Sequence, residues 1–433
     1  MIIGVIDVSM DYAQIVAVVV FLLAYAIIIS EKIHRAIVAL TGAVTIILLG
    51  VLDQESAVEG VDFNTLGLLV GMMIIVAITR RSGVFEYLAI KCAKIAKGEP
   101  LMILVLLTLV TAILSAFLDN VTTVLLIVPV TFAITDRLSI NPIPFLYSEI
   151  IGSNIGGTST LIGDPPNIMI GSSTHLGFLD FLVNLGPVVI PILAITILIM
   201  TILYRKSLVC GEEQKQRVMD MEELDAIKEW NLLKKSLVVL ALTIMGFFLH
   251  QALHLESATV ALTGAMLLML VTKREPEEIL LEIEWPTLFF FIGLFVLVEG
   301  LVHVGIIEYL AGQALVLTSG NYTMTAFLIL WFSGLASAFV DNIPMVAAMI
   351  PLLKSIGQLT GMPMDPLWWS LALGACLGGN GTLIGASANV VVAGISEKKG
   401  IPITFMGFLK VGFPFMIVSL LISSLYLYLR YLI

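Results

Sequence analysis

Two stretches of the chain place a carboxylate and an amide where chemistry is least expected. "AFLDNVTTVLLIVPV", residues 116–130, sets Asp119 and Asn120 between two runs apolar enough to lie in a membrane. "AFVDNIPMVAAMIPL" repeats the arrangement with Asp341 and Asn342, 222 positions later (341 minus 119). A carboxylate in a low-dielectric site is expensive, and such residues mark ion or proton pathways. Burial raises the pKa of an Asp and a nearby cation lowers it, so Asp119 can exchange a proton for Na⁺. The purely structural alternative is an Asp that caps a helix.

The elements that must hold these residues follow from composition. The 433 residues are 59% hydrophobic and 12% charged, with mean hydropathy +1.06. A soluble chain has about 25% charged residues. Runs of about 20 apolar residues, enough for one crossing, recur throughout. These features specify an all-α polytopic membrane protein. The net charge of −10 gives no reason to expect a nucleic-acid partner. Cys92, Cys210 and Cys376 show no CxxC or Cys/His spacing, so neither a disulfide framework nor a zinc site is expected. The acidic start (Asp7, Asp11) and the long first apolar run argue for a retained span, not a cleaved signal.

Crossings are expected at 12–30, 36–52, 63–79, 187–204, 236–252, 258–272, 286–303 and 409–429. Two more, at 143–175 and 365–396, are broken by glycines. The segments 100–135 and 322–357 read as re-entrant hairpins with Asp-Asn at their tips, because such a tip must be buried in protein. Of the 22 Lys and Arg, this arrangement leaves only Lys354 and Arg430 outside. The positive-inside rule then puts both termini outside and the 205–235 linker in the cytoplasm of a plasma (inner) membrane protein.

The 222-residue offset holds over about 130 residues: "VALTGA" at 38–43 recurs at 260–265, and "GGTSTLIGDPPN" at 156–167 answers "GGNGTLIGASAN" at 378–389. The organisation is therefore a first repeat, 1–204, a linker, 205–235, and a second repeat, 236–433. Each repeat has five spans, one re-entrant hairpin and an interrupted helix. Five is odd, so the second repeat enters inverted, the pattern of secondary transporters with sites at broken helices near the midplane. Gly156, Gly157, Gly163, Pro165 and Pro166 cannot sustain a regular helix. The backbone groups they free are available to ions.

"SAFLDNVTTVLLIVPVT" followed by "SNIGGTSTLIGDPPNIMI" resembles the ion-transporter superfamily, which includes ArsB-type arsenite permeases, NhaD-type sodium/proton antiporters and divalent-anion symporters. The wording is most similar to the pink-eyed dilution P-protein branch. The resemblance covers nearly the whole chain. It implies a homodimer, a scaffold part and a mobile part in each protomer, and elevator-like movement. It also implies site residues: Asp119, Asn120, Thr122 and Thr123 at the first tip, facing Ser153, Asn154, Thr158, Thr160, Asp164 and Asn167. Asp341 and Asn342 at the second tip would face Asn380, Thr382, Ser387 and Asn389. A Na⁺ site is expected from Asp119, Asn120, Asp164 and Asn167. The anion-symporter branch carries Ser-Asn-Thr at its tips. The Asp-Asn here would repel a dicarboxylate or citrate unless protonated or neutralised by a cation.

Asp164 has no twin, since Ala386 stands at its repeat position, so the first repeat is expected to carry the stronger cation site. Glu149 and Glu299 lie in apolar helices as relays or paired charges. Cys376 falls near the second broken segment, and Trp368 and Trp369 are expected in an interfacial belt. The resulting expectation is a cation-coupled transporter, an ArsB-like permease for arsenite or another small oxyanion, with H⁺ or Na⁺ as coupling ion and no cofactor. A Na⁺/H⁺ antiporter without an oxyanion substrate and an anion channel are the alternatives. No nucleophile–base pair or P-loop pattern points to an enzyme.

Overall fold

The computed structural model describes residues 11–30 and 32–433, so Asp7 lies outside the described residues. The first repeat forms helices α1 (Tyr12–Ser30), α2 (Arg35–Leu48), α3 (Gln54–Glu59), α4 (Phe63–Arg80), α5 (Val84–Ile95), α6 (Pro100–Phe117), α7 (Asn120–Leu138), α8 (Ile143–Gly157), α9 (Pro165–Ser173) and α10 (Phe178–Tyr204). The linker contributes α11 (Glu212–Met219). α12 (Trp230–Leu249) begins inside the 205–235 linker stretch and leads into the second repeat, which continues with α13 (Ser257–Thr272), α14 (Pro276–Leu280), α15 (Trp285–His303), α16 (Ile306–Leu317), α17 (Tyr322–Phe339), α18 (Asn342–Thr360), α19 (Asp365–Gly378), α20 (Ser387–Lys398) and α21 (Phe405–Leu427). In order, α12–α21 repeat α1–α10. Ten of the described helices are long and apolar enough to cross a membrane; α2, α13 and α16 are shorter apolar helices.

Local chemistry sets the ends. Pro100 opens α6, Asp119 caps α7, and Pro165 and Pro166 open α9. Proline suits a first helical turn, where its missing N–H has no partner to lose. The loop expected between the third span and the first hairpin contains α5, and its repeat twin is α16. Each begins after a left-handed glycine, Gly83 (φ +82) and Gly305 (φ +75). Lys91 and Lys94 gave that stretch the look of a loop.

The chain divides into two compact units that do not coincide with the repeats. One holds residues 1–63, 284–321 and 347–362; the other holds 64–283, 322–346 and 363–433. The packing within each unit explains the interleaving. In the first, Gly293 of α15 lies so close to α2 that a Cβ there would sit 2.5 Å from the Ala39 carbonyl carbon. In the second, Gly71 of α4 approaches Ala261 of α13 equally closely, at 2.6 Å. Gly71 and Gly293 are repeat twins, as are Ala39 and Ala261. Each repeat thus lends a helix to the other.

Within the larger unit, α8 packs along α6 and α19 along α17, through a seam of small residues. Gly152 meets Thr108 and Gly156 meets Ala112; their twins Gly374 and Gly378 meet Ser333 and Gly334. Trp369 is 1% exposed and packs edge-on to Phe181 at 5.2 Å, and Trp368 is also buried. The interfacial belt expected for this pair is therefore replaced by a core role, set by the packing of α19 against α10.

The linker is docked. Ile227 joins an apolar cluster with Val84, Phe85, Leu118 and Leu126. The Lys228 N–H donates to Ser82 O at 2.9 Å. Glu223 pairs with Lys94 and, at 3.2 Å, with Lys91. The Lys94 ammonium, helped by a backbone amide and Lys91, holds the Glu223 carboxyl down at about 2, from an ordinary 4.5. A depressed carboxyl pKa adds stability above the unfolded value and loses it as pH falls through the folded one. Docking should therefore weaken between about pH 4.5 and about pH 2. Glu223→Gln should reproduce this at neutral pH, as several-fold faster tryptic cleavage at Lys215 or Arg217. An unchanged cleavage rate would show that the apolar contacts alone hold the linker.

Candidate functional site

Both hairpin tips and both broken helices lie in the larger unit, with the tip residues Asp341 and Asn342 included. Helix α8 stops at Gly157 and α9 starts at Pro165; α19 stops at Gly378 and α20 starts at Ser387. The gaps are held by repeat-related hydrogen bonds. The Asn167 amide donates to the carbonyls of Thr158 (3.1 Å) and Thr160 (2.8 Å), and the Asn389 amide to those of Gly379 (2.7 Å) and Thr382 (2.9 Å). The Thr160 and Thr382 hydroxyls tie each gap back to its hairpin, at Ala116 O and Ala338 O. These four residues shape the unwound backbone. Such backbone is tolerated at membrane depth only within protein or beside a cavity.

At the centre is Asp164, with no exposed surface. Its carboxylate accepts the Asn120 amide from the first tip at 3.3 Å and the Asn342 amide from the second at 3.2 and 3.3 Å. Asn120 also donates to Asn154 Oδ1 at 3.2 Å, and Asn154 donates to Asn380 Oδ1 (2.9 Å) and Asn389 Oδ1 (3.0 Å). One continuous network therefore joins the two repeats. Among the described residues, its side chains are one carboxylate and neutral amides, and none of its hydrogen bonds comes from Lys, Arg or His.

The expected residues divide by role. Asn120, Asn154, Asp164, Asn342, Asn380 and Asn389 meet in the network. Asp119 is turned to cap α7, accepting the Thr122 N–H at 2.8 Å and the Thr122 hydroxyl. Asp341 accepts the Ser387 hydroxyl at 2.7 Å. Each tip carboxylate thus has a hydroxyl partner, supplied from different places: Thr122 has Pro344 as its twin, and Ser387 has Pro165. Ser153 and Thr158 bond back into α8. Of the expected Na⁺ ligands, Asn120 and Asp164 are together, while Asp119 and Asn167 make other bonds.

Some buried polar atoms have no protein partner: Thr123 Oγ1, Ser115 Oγ and Asn380 Nδ2. Buried polar groups are nearly always paired, so such orphans call for a ligand or water. Ser115 carries no motif signal in the sequence; its signal is adjacency, since a Cβ on Gly157 would lie 3.3 Å from its hydroxyl. Cys376, the repeat twin of Asn154, lies 3.5 Å from Asn167 Oδ1. A separate cavity of about 330 Å³, lined by Arg80, Glu86, Leu125, Pro129 and Met221, faces the linker. It includes none of the network residues.

Residues 25–374 match the profile of the CitMHS family, described as citrate transporter. An uncharacterized transporter of Mycobacterium tuberculosis is 46% identical over 426 residues, covering 97% of this chain and 99% of the relative. The P protein of Homo sapiens is 36% identical over 487 residues, covering 93% of this chain and 58% of that longer protein. Among solved structures, the YdaH transporter of Alcanivorax borkumensis aligns with a TM-score of 0.60 at 14% identity, over 96% of this chain and 98% of that one. MtrF of Neisseria gonorrhoeae aligns at 0.59 and 11%, over 98% and 95%. At those identities the structural likeness speaks to fold alone. The sequence matches go further: this chain belongs to the CitMHS citrate-transporter family and is a multi-pass membrane transporter.

Proposed function

We propose that the protein is a cation-coupled secondary transporter for a small oxyanion of the arsenite type, driven by H⁺ or Na⁺ and working by elevator-type alternating access in a homodimer. The linker lies in the cytoplasm and both termini lie outside. The observation that carries this reading is the fully buried Asp164 carboxylate, bonded by an amide from each hairpin tip and by no cationic side chain. A solute entering alone in its anionic form, for arsenite the deprotonated acid, meets a fixed negative charge. Two like charges about 5 Å apart at an effective dielectric of about 20 repel by roughly 3 kcal/mol. A proton or Na⁺ at Asp164 removes that repulsion, so cation and anion bind together. Obligatory co-binding is what couples their movement.

The orphaned Asn380 amide and the Thr123 and Ser115 hydroxyls are suited to oxygen atoms of the solute. The family's description makes citrate the second reading. With more negative charge than a small oxyanion, citrate would need more cation at the same site. A Na⁺/H⁺ antiporter would use Asp164 and no solute. Uptake of arsenite, citrate and Na⁺ into proteoliposomes under imposed H⁺ or Na⁺ gradients separates the three. Arsenite accumulation driven by either gradient is expected. Ion exchange with no solute uptake would favour the antiporter, and counterflow of labelled solute would exclude a channel.

A further inference from the structure

We propose that Glu149, paired with Thr131, is a second proton-binding site of the transporter, distinct from the Asp164 network. The inference deepens the reading of the protein as a cation-coupled carrier and rests on it. Glu149 lies in the middle of α8 and has no exposed surface; Thr131, on α7, is equally buried. The Thr131 hydroxyl lies 2.5 Å from Glu149 Oε1 and 3.3 Å from Ile127 O. The other carboxyl oxygen, Oε2, has no partner.

The helices packed on α8 carry few charges. α6 has none; α7 has Asp136 and Arg137; α10 has Asp180 and Tyr204. The others bring Asp365 and Cys376 on α19, Glu397 and Lys398 on α20, and Lys410 and Tyr426 on α21. Among the described residues, none of these pairs with or hydrogen-bonds to Glu149, and its own-helix neighbour Tyr147 does not either. An ionised Glu149 would therefore stand with one hydroxyl for four lone-pair positions. The protonated form satisfies the same geometry: the Glu149 O–H donates to Thr131 Oγ1, and the Thr131 O–H donates to Ile127 O.

Release of the proton is a simple exchange. The Glu149 O–H bond breaks and H⁺ leaves to water. The Thr131 O–H swings from Ile127 O to the new carboxylate. No bond other than O–H changes, and no further reactant is needed.

The duplication separates this role from a packing role. The repeat twins of Thr131 and Glu149 are Leu353 and Leu371, each with no exposed surface. Both polar partners are replaced together, so this fold accepts leucine at both positions in its second copy. A buried acid–hydroxyl pair confined to the first repeat is then a functional element, because a matched apolar pair serves stability as well or better.

The test uses purified full-length protein and two readouts. Infrared difference spectra across a pH step should contain a protonated-carboxyl component that disappears in Glu149→Gln and persists in Asp164→Asn. Glutamine mimics the neutral acid, so folding should be retained; a Thr131→Leu/Glu149→Leu double variant copies the second repeat as a safeguard. In proteoliposomes, uptake should change by up to about ten-fold per pH unit where one proton controls the rate. That dependence should become measurably shallower in both variants, with any part set by a proton at Asp164 remaining. A full set of wild-type carboxyl components in Glu149→Gln, or an unaltered pH dependence in the folded double variant, would overturn the proposal. A lost infrared component in protein that transports nothing would instead leave the proton site standing and overturn the transporter reading on which its role depends.

Discussion

Replacing Asp164 by alanine should abolish stabilisation of the purified protein by its coupling ion, while Ser387→Ala should leave most of it. Asp164 is the only carboxylate among the described residues of the amide network, and its twin is Ala386, so the change makes the first broken helix resemble the second. An ion at 100 times its Kd stabilises a protein by about 2.7 kcal/mol. Losing a charged ligand from a buried site should lower affinity enough to erase that gain. The unliganded protein should suffer less. Asn120 keeps Asn154 as acceptor, and only the Asn342 amide loses its acceptor, at about 1–3 kcal/mol. Removal of a desolvated carboxyl offsets part of this. Ser387 contributes a neutral hydroxyl to Asp341, worth roughly 1 kcal/mol net. Thermal midpoints in Na⁺ titrations and across pH read both variants without knowledge of the solute. Equal losses in the two would place the ion between the repeats or in the second.

Gly156→Ala is expected to be the most destructive single-methyl change along the α6–α8 seam. A Cβ at Gly156 would lie 2.0 Å from Ala112 O and 2.6 Å from Ala112 C. The obstacle is the backbone of α6, so no side-chain rotation relieves it. Overpacking a core usually costs about 1–3 kcal/mol; this clash requires α6 and α8 to separate, and more than about 3 kcal/mol is expected from that scale. Separation would also move the first tip away from Asp164. Gly394, inside α20, is the control: nothing lies within 4 Å of its Cβ position. Gly394→Ala should be neutral or stabilise by about 0.5–1 kcal/mol through helix propensity. Thermal midpoints and monodispersity in detergent compare the two. Similar behaviour of both variants would mean that the α6–α8 seam is loose enough to admit a methyl group at Gly156.

The parts legible in the sequence were those with a local cause. Asp-Asn between apolar runs marked both hairpins, and paired glycines marked both helix breaks, because these constraints act over a few residues. The 222-residue offset carried one assignment to its twin. What stayed hidden depends on pairings between distant segments. Gly71 and Gly293 were visible as repeats, but nothing local says that each packs on the other repeat's alanine. The linker's mixed charges suggested a tether; its anchor is Ile227, an isolated apolar residue whose cluster partners lie more than 100 positions earlier or just after it. Asp119 at an apolar hairpin tip suggests an ion ligand, and the structure has it capping α7 through Thr122. The sequence offered both roles. Asp164, which lacks a twin, proved to be the carboxylate that both tips reach.

On the proposed function, a cation at Asp164 couples solute movement to an ion gradient. The most direct test of this coupling is solute accumulation in proteoliposomes under imposed H⁺ or Na⁺ gradients, with wild type and Asp164→Asn side by side. Wild-type protein should concentrate arsenite or citrate above its external level while the gradient lasts and lose it when an ionophore collapses the gradient. Asp164→Asn should show no accumulation. Gradient-driven accumulation by Asp164→Asn at the wild-type rate, with the same ion dependence, would contradict the account.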